Sequence, residues 1–210
     1  MAEKNPWLKI PASDYDNHMA HPDVGQSPFL GEVFKYALEV YDATTVALLG
    51  SATGNGLEHV MNETTRRLTA VDINREYLDI LENRFGKSID GLSVTRADLE
   101  TCWLEKECYS LVFAGLIFEY LEPGLLLEKI HLWLKKGGVL QAVLQLAEKN
   151  KKRVSPSPYK SLEQLKSLMK LFRPNEFDAL AEAAGFAKTE GKIVRLRSGK
   201  SFYSAAYGKK

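Results

Sequence analysis

Three short aliphatic runs mark the first half of this chain, and each stops on a residue suited to turning or binding rather than packing. Thr45 to Leu49 ends on Gly50, Leu68 to Val71 ends on Asp72, and Leu92 to Thr95 ends near Asp98. Unbroken Val/Leu-rich runs of this length read as strands buried on both faces, the habit of a parallel sheet. Between and around them the apolar residues switch to helical spacing, over Phe29–Tyr41, Gly56–Asn62 and Glu76–Arg84. Strands alternating with helices require right-handed crossovers and a sheet covered on both sides. Ligands of such sheets bind beyond the carboxyl ends of the strands, so the residues just after each run are the informative ones.

The second half continues the alternation. Tyr109 to Ala114 is a fourth strand, Pro123 and Gly137 bracket a helix, and Gly138 to Leu146 is a fifth strand. A helix from Pro174 to Ala184 closes on Gly185, and two runs, Lys192–Arg197 and Phe202–Tyr207, form an antiparallel hairpin around Ser198-Gly199-Lys200. The segment through Gln26, broken by Pro6, Pro11 and Pro22, is expected to be irregular or short-helical. No composition shift marks a boundary, so 1–210 reads as a single domain, with 1–28 a lid-like leading segment on a core of 29–210.

Charge excludes some partners. Lys plus Arg number 28 against 27 for Asp plus Glu, so a nucleic acid is not the default ligand. No stretch approaches the roughly 20 apolar residues of a membrane span, and the opening residues do not read as a signal peptide. Cys102 and Cys108 lack the spacing of a metal or redox motif and are expected as free thiols in the cytoplasm, with no metal bound. The sequence leaves the oligomeric state open.

After the first strand comes Gly50-Ser51-Ala52-Thr53-Gly54-Asn55-Gly56, spaced G-x-x-x-G-x-G. Glycines leave no Cβ between backbone and ligand, so this turn can hold a cofactor; a tight turn with no ligand is the other reading. The spacing differs from the G-x-G-x-x-G of a dinucleotide site and disfavours a nicotinamide-dependent oxidoreductase. Asp72 can accept two hydrogen bonds from a vicinal diol, or cap the helix that follows. Asp98-Leu99 offers an acceptor for an exocyclic amine beside a ring cover, or is simply a solvated turn.

In series, VALLGSATGNG, TAVDIN, TRADL, YSLVFAGLIFEYL and LKKGGVL resemble the successive motifs of class I S-adenosylmethionine-dependent methyltransferases, over Val46 to Leu146. The resemblance implies a Rossmann-like three-layer α/β sandwich whose mostly parallel seven-stranded sheet ends in an antiparallel hairpin. It implies S-adenosyl-L-methionine as cofactor. Gly50, Ser51, Thr53, Gly54 and Gly56 would hold its methionine part, Asp72 the ribose with Ile73 against the adenine, and Asp98 and Leu99 the adenine edge and face. Ala114 and Gly115 would border cofactor and acceptor, and Tyr15 would reach the cofactor from the leading segment. Two positions depart from the pattern. Leu48 stands where many members carry an acid, and Ala52 replaces the middle glycine, which is tolerable if its φ stays negative. The leading segment is then the expected source of the contact Leu48 cannot make.

Methyl transfer from a sulfonium needs alignment more than a catalytic group. Glu119 and Tyr120, after the fourth strand, are candidates to orient or deprotonate an acceptor; otherwise Tyr120 packs on Leu121 and Glu119 sits in solvent. His18 is a third candidate, or an ordinary satisfied histidine. Lys149, Lys151, Lys152 and Arg153 read as a solvated basic loop and leave an anionic acceptor open. The sequence thus points to methyl transfer onto a small-molecule acceptor. The alternative is a non-catalytic domain that keeps the fold and binds the cofactor or a protein.

Overall fold

Two of the leading aliphatic runs, Thr45–Leu49 and Leu68–Val71, become strands buried on both faces, whereas Leu92–Thr95 falls on an edge strand with no fully buried residue. In a computed structural model that describes residues 5–148 and 152–210, β1 is Thr45–Leu49, β2 Arg67–Asp72, β3 Leu92–Arg96 and β4 Tyr109–Gly115. β5 is Leu134–Gln145, β6 Phe186–Arg195 and β7 Ser201–Lys209. They form one sheet in the order β3-β2-β1-β4-β5-β7-β6. β1 pairs in parallel with both β2 and β4, so the strand order reverses at β1 and opens a cleft beyond the tips of β1 and β4. β7 runs antiparallel between β5 and β6.

Side chains along β1 alternate between two cores, as the two-residue repeat of a strand demands. Ala47 and Leu49 join the cluster built on α4 (Pro123–Trp133) and α5 (Pro174–Ala183), where Ile130, Trp133 and Phe177 are fully buried. Val46 and Leu48 join the opposite cluster, with Leu30, Val33, Phe34 and Ala37 of α2 (Gln26–Val40) and Leu81 of α3 (Arg75–Phe85). Leu48 is therefore a core residue, and an acid there would lose its hydration to an apolar layer.

The leading segment takes the short-helical form of the two expected for it. A 3-10 turn, Pro6–Lys9, precedes α1 (Ala12–Ala20). The expected helix over 56–62 is absent. Only a 3-10 turn, Leu57–His59, follows β1: left-handed Gly56 (φ 88°) precedes it, and Val60 is already extended (ψ 129°). The helix bracketed by Pro123 and Gly137 ends earlier, at Trp133. Leu134 is already extended and pairs with Tyr109, while Gly137 (φ 76°) lies within β5. The hairpin is longer than expected because β6 is an exposed edge strand whose Lys188, Glu190 and Lys192 mask its alternation. A further 3-10 stretch, Lys160–Ser167, is absent from the sequence reading although its buried Leu162 and Leu165 stand three residues apart. Lys149 and Lys151 of the basic run fall outside the described residues. Among the described residues no helix is long and apolar enough to cross a membrane.

Candidate functional site

The turn after β1 is fastened to the tip of β2. The Ser51 amide donates to the Val71 carbonyl at 3.0 Å, and the Ala52 amide donates to Asp72 Oδ2 at 2.9 Å. Asp72 Oδ1 accepts from the Asn74 amide at 2.8 Å. Asn74, not Asp72, caps α3, its side chain accepting from the Glu76 amide at 3.0 Å. Each Asp72 oxygen is thus fixed by one backbone donor and keeps further acceptor capacity. Burial pushes its pKa up, against the lowering effect of those amides. Ala52 holds a φ of 45°, so its methyl sits in the left-handed region and the condition of a negative φ fails. The bond to Asp72 holds it there.

Of the glycine-rich turn, Gly50 and Ala52 border the cleft. Gly54 and Gly56 do not, because they make room for aromatic rings. A Cβ on Gly54 would lie 2.8 Å from the Phe85 ring, and one on Gly56 3.0 Å from Phe34. Thr53 turns its hydroxyl to Asp16, and the Ser51 hydroxyl is buried with no partner. Ala114 is buried within β4, and Gly115 reaches the cleft in its place.

The leading segment covers the strand tips. Asn74 Nδ2 donates to the Trp7 carbonyl at 2.9 Å, and the Tyr77 hydroxyl donates to the Ile10 carbonyl at 3.0 Å. Asp16 pairs with Arg84 at 2.9 Å. The Trp7 ring meets Tyr120 edge-on at 5.0 Å and Tyr15 at 6.1 Å, and Tyr15 lies 5.4 Å from Tyr77. Burial, with Asp72 nearby, raises the Tyr15 hydroxyl well above its ordinary pKa, so it stays a neutral donor.

Beneath this cover runs one cavity of about 530 Å³. Its outer end is bounded by Gly50, Asp72, Ile73, Asp98, Leu99 and Gly115. Asp98 Oδ1 accepts from the Glu100 amide at 2.9 Å. The inner end is bounded by His18, Gln26, Gln145, Ser155 and Lys200, all buried, and by Leu162, Leu165 and Met169. His18 Nδ1 is 2.7 Å from the Ser157 hydroxyl; burial, then the Lys200 charge, lowers its pKa to about 4. It is a neutral imidazole at pH 7. Lys200 donates to the Arg153 carbonyl at 2.6 Å and to Gln145 Oε1 at 3.1 Å, and burial lowers its pKa to about 8.

Tyr120 borders the cavity, but Glu119 does not. The 3-10 turn Phe118–Tyr120 directs Glu119 under the end of β5, fully buried rather than in solvent. Its Oε1 accepts from the Gln145 amide at 2.6 Å, Oε2 has no partner, and burial raises its pKa to about 7. Trp7, Gln145, Ser155 and Lys200 escape sequence reasoning. Lys200 is a lysine at a hairpin tip, a position that ordinarily points to solvent.

Residues 46–138 match the model of a family described as a methyltransferase domain. No curated protein matches the chain. The fold is shared with Haemonchus contortus phosphoethanolamine N-methyltransferase 2, solved with phosphomonomethylethanolamine and S-adenosylhomocysteine (TM-score 0.74, 12% identity, 94% of this chain and 56% of that one). It is also shared with an S-adenosylmethionine-dependent methyltransferase from Mesorhizobium loti (0.66, 14%, 86% and 98%). The [4+2]-cyclase SpnF is similar as well (0.69, 12%, 88% and 80%), so this fold hosts more than one chemistry.

Proposed function

We propose that this chain is a class I S-adenosylmethionine-dependent methyltransferase and that it transfers a methyl group to a small-molecule acceptor held at the inner end of the cavity. One observation carries this reading. A single cavity joins strand tips suited to a nucleoside to a second, chemically different compartment under the leading segment.

S-adenosylmethionine supplies a methyl already activated on a sulfonium. Asp72 would take the ribose hydroxyls with its remaining lone pairs, and Asp98 the adenine amine, with Ile73 and Leu99 against the ring. Gly50 borders the cavity at a φ of 64°, and the Ile117 side chain, 3.0 Å from a would-be Cβ, takes the space that a larger residue would need. Trp7, Tyr15 and Tyr120 exclude water from the path between the compartments. Acceleration then comes from alignment in a dry site. His18, neutral and tied to Ser157, orients an acceptor; Glu119, walled off from the cavity, holds the end of β5.

Incubation with methyl-labelled cofactor and a small-metabolite extract tests the reading. Cofactor-dependent label in a small molecule supports it. Tight binding of S-adenosylhomocysteine with no labelled product from any extract would leave a binding domain instead.

A further inference from the structure

The inner compartment has a polarity that the outer one lacks. Lys200 is buried at the cavity wall, and no carboxylate lies within ion-pairing distance of it among the described residues. Both of its hydrogen bonds go to neutral oxygens, those of Gln145 and Arg153. Glu148 acts on it only at longer range, and the Glu119 carboxyl beneath Gln145 is bonded to the Gln145 amide and not to Lys200. Beside Lys200 the Ser155 hydroxyl borders the same cavity, buried and without a partner. A buried cation facing an open space and a buried hydroxyl with nothing to bond are both costly unless a ligand completes them.

We propose that this compartment takes the carboxylate of a small organic acid, with Lys200 as its counter-ion and Ser155 as its hydrogen-bond donor. Among the described residues Lys200 is the buried cation of this wall: His18 is neutral, and Arg153, which also borders the cavity, is exposed, so its charge is solvated while it donates to the Met169 and Lys166 carbonyls. A monoanion balances the buried Lys200 charge. A cationic acceptor is repelled. The remaining wall, Val154, Leu162, Leu165 and Met169, is apolar and suits a hydrocarbon body. That the bound acid is the methyl acceptor rests on the methyl-transfer reading; that the site binds it does not.

The experiment titrates straight-chain carboxylates from butanoate to decanoate, with their amides and amines, into the protein with and without saturating S-adenosylhomocysteine. The best acid binds at least about tenfold tighter than its own amide or amine. Lys200→Gln removes that preference while its S-adenosylhomocysteine affinity, which also reports folding, stays within about twofold. Ser155→Ala weakens the acid by about fivefold and serves as a second reading should Lys200→Gln fold poorly. Equal binding of acid and amide, no binding by any acid, or unchanged affinity in both variants overturns the proposal. Acid binding that persists where S-adenosylhomocysteine fails to bind sustains the anion site and removes the cofactor reading alone.

Discussion

The Ala52 amide donates to the Asp72 carboxylate at 2.9 Å while Ala52 itself sits at a φ of 45°. One hydrogen bond thus fixes the acid at the tip of β2 and a backbone conformation that alanine adopts rarely. The same contact joins the turn after β1 to the neighbouring strand, so site geometry and local strain are coupled.

Asp72→Ala is expected to weaken S-adenosylhomocysteine binding by more than about tenfold, roughly 1.4 kcal/mol or more, the value of a charge-assisted hydrogen bond to a ligand. Calorimetric titration checks it. Affinity within twofold of wild type would remove Asp72 from the site.

Ala52→Gly relieves the left-handed strain and keeps the amide that Asp72 needs. Denaturant unfolding should show a gain on the order of 1 kcal/mol, with ligand affinity unchanged. A loss of stability would mean that the methyl packs to advantage despite its φ.

Trp7→Ala removes the ring that meets Tyr120 at 5.0 Å and opens the cover over the cavity. S-adenosylhomocysteine should dissociate several-fold faster in stopped-flow measurements, with a smaller change in association, because an aromatic cover acts on departure. Unaltered dissociation would show that the leading segment is packed over the site without gating it.

Glu119 gives a pH signature with a definite sign. Its pKa is raised from 4.5 to about 7 by burial, so the folded state binds more protons than the unfolded state between those values. This group's stabilisation is complete below pH 4.5 and is lost as pH rises to about 7. His18, lowered from 6.5 to about 4, acts with the opposite sign over an overlapping window, so the two partly cancel in the wild type. Subtracting the wild-type stability curve from that of Glu119→Gln isolates the acid. The variant should gain on wild type as pH rises from 4.5 to 7, by an amount on the order of 3 kcal/mol. A flat difference would mean that Glu119 titrates as an ordinary carboxyl.

The sheet could be read from sequence because β1, β2 and β4 are buried on both faces and must be continuously apolar. The outer compartment could be read because its residues stand directly after those strands, so order along the chain maps onto position in space. The glycines misled in detail. Gly54 and Gly56 look like ligand-facing positions, but they admit Phe85 and Phe34, contacts set by tertiary packing that no local pattern carries. The inner compartment draws His18, Gln145, Ser155 and Lys200 from four distant segments, and no spacing rule links them. Glu119 shows the same limit, since its burial depends on where β5 ends and not on its neighbours in sequence.

The most direct measurement is a crystal structure of the protein grown with S-adenosylhomocysteine. Both ribose hydroxyls are expected within about 3 Å of the Asp72 carboxylate, the adenine between Ile73 and Leu99, and the sulfur facing the compartment of His18 and Lys200. A ligand bound outside this cavity, or one whose ribose turns away from Asp72, would contradict this placement.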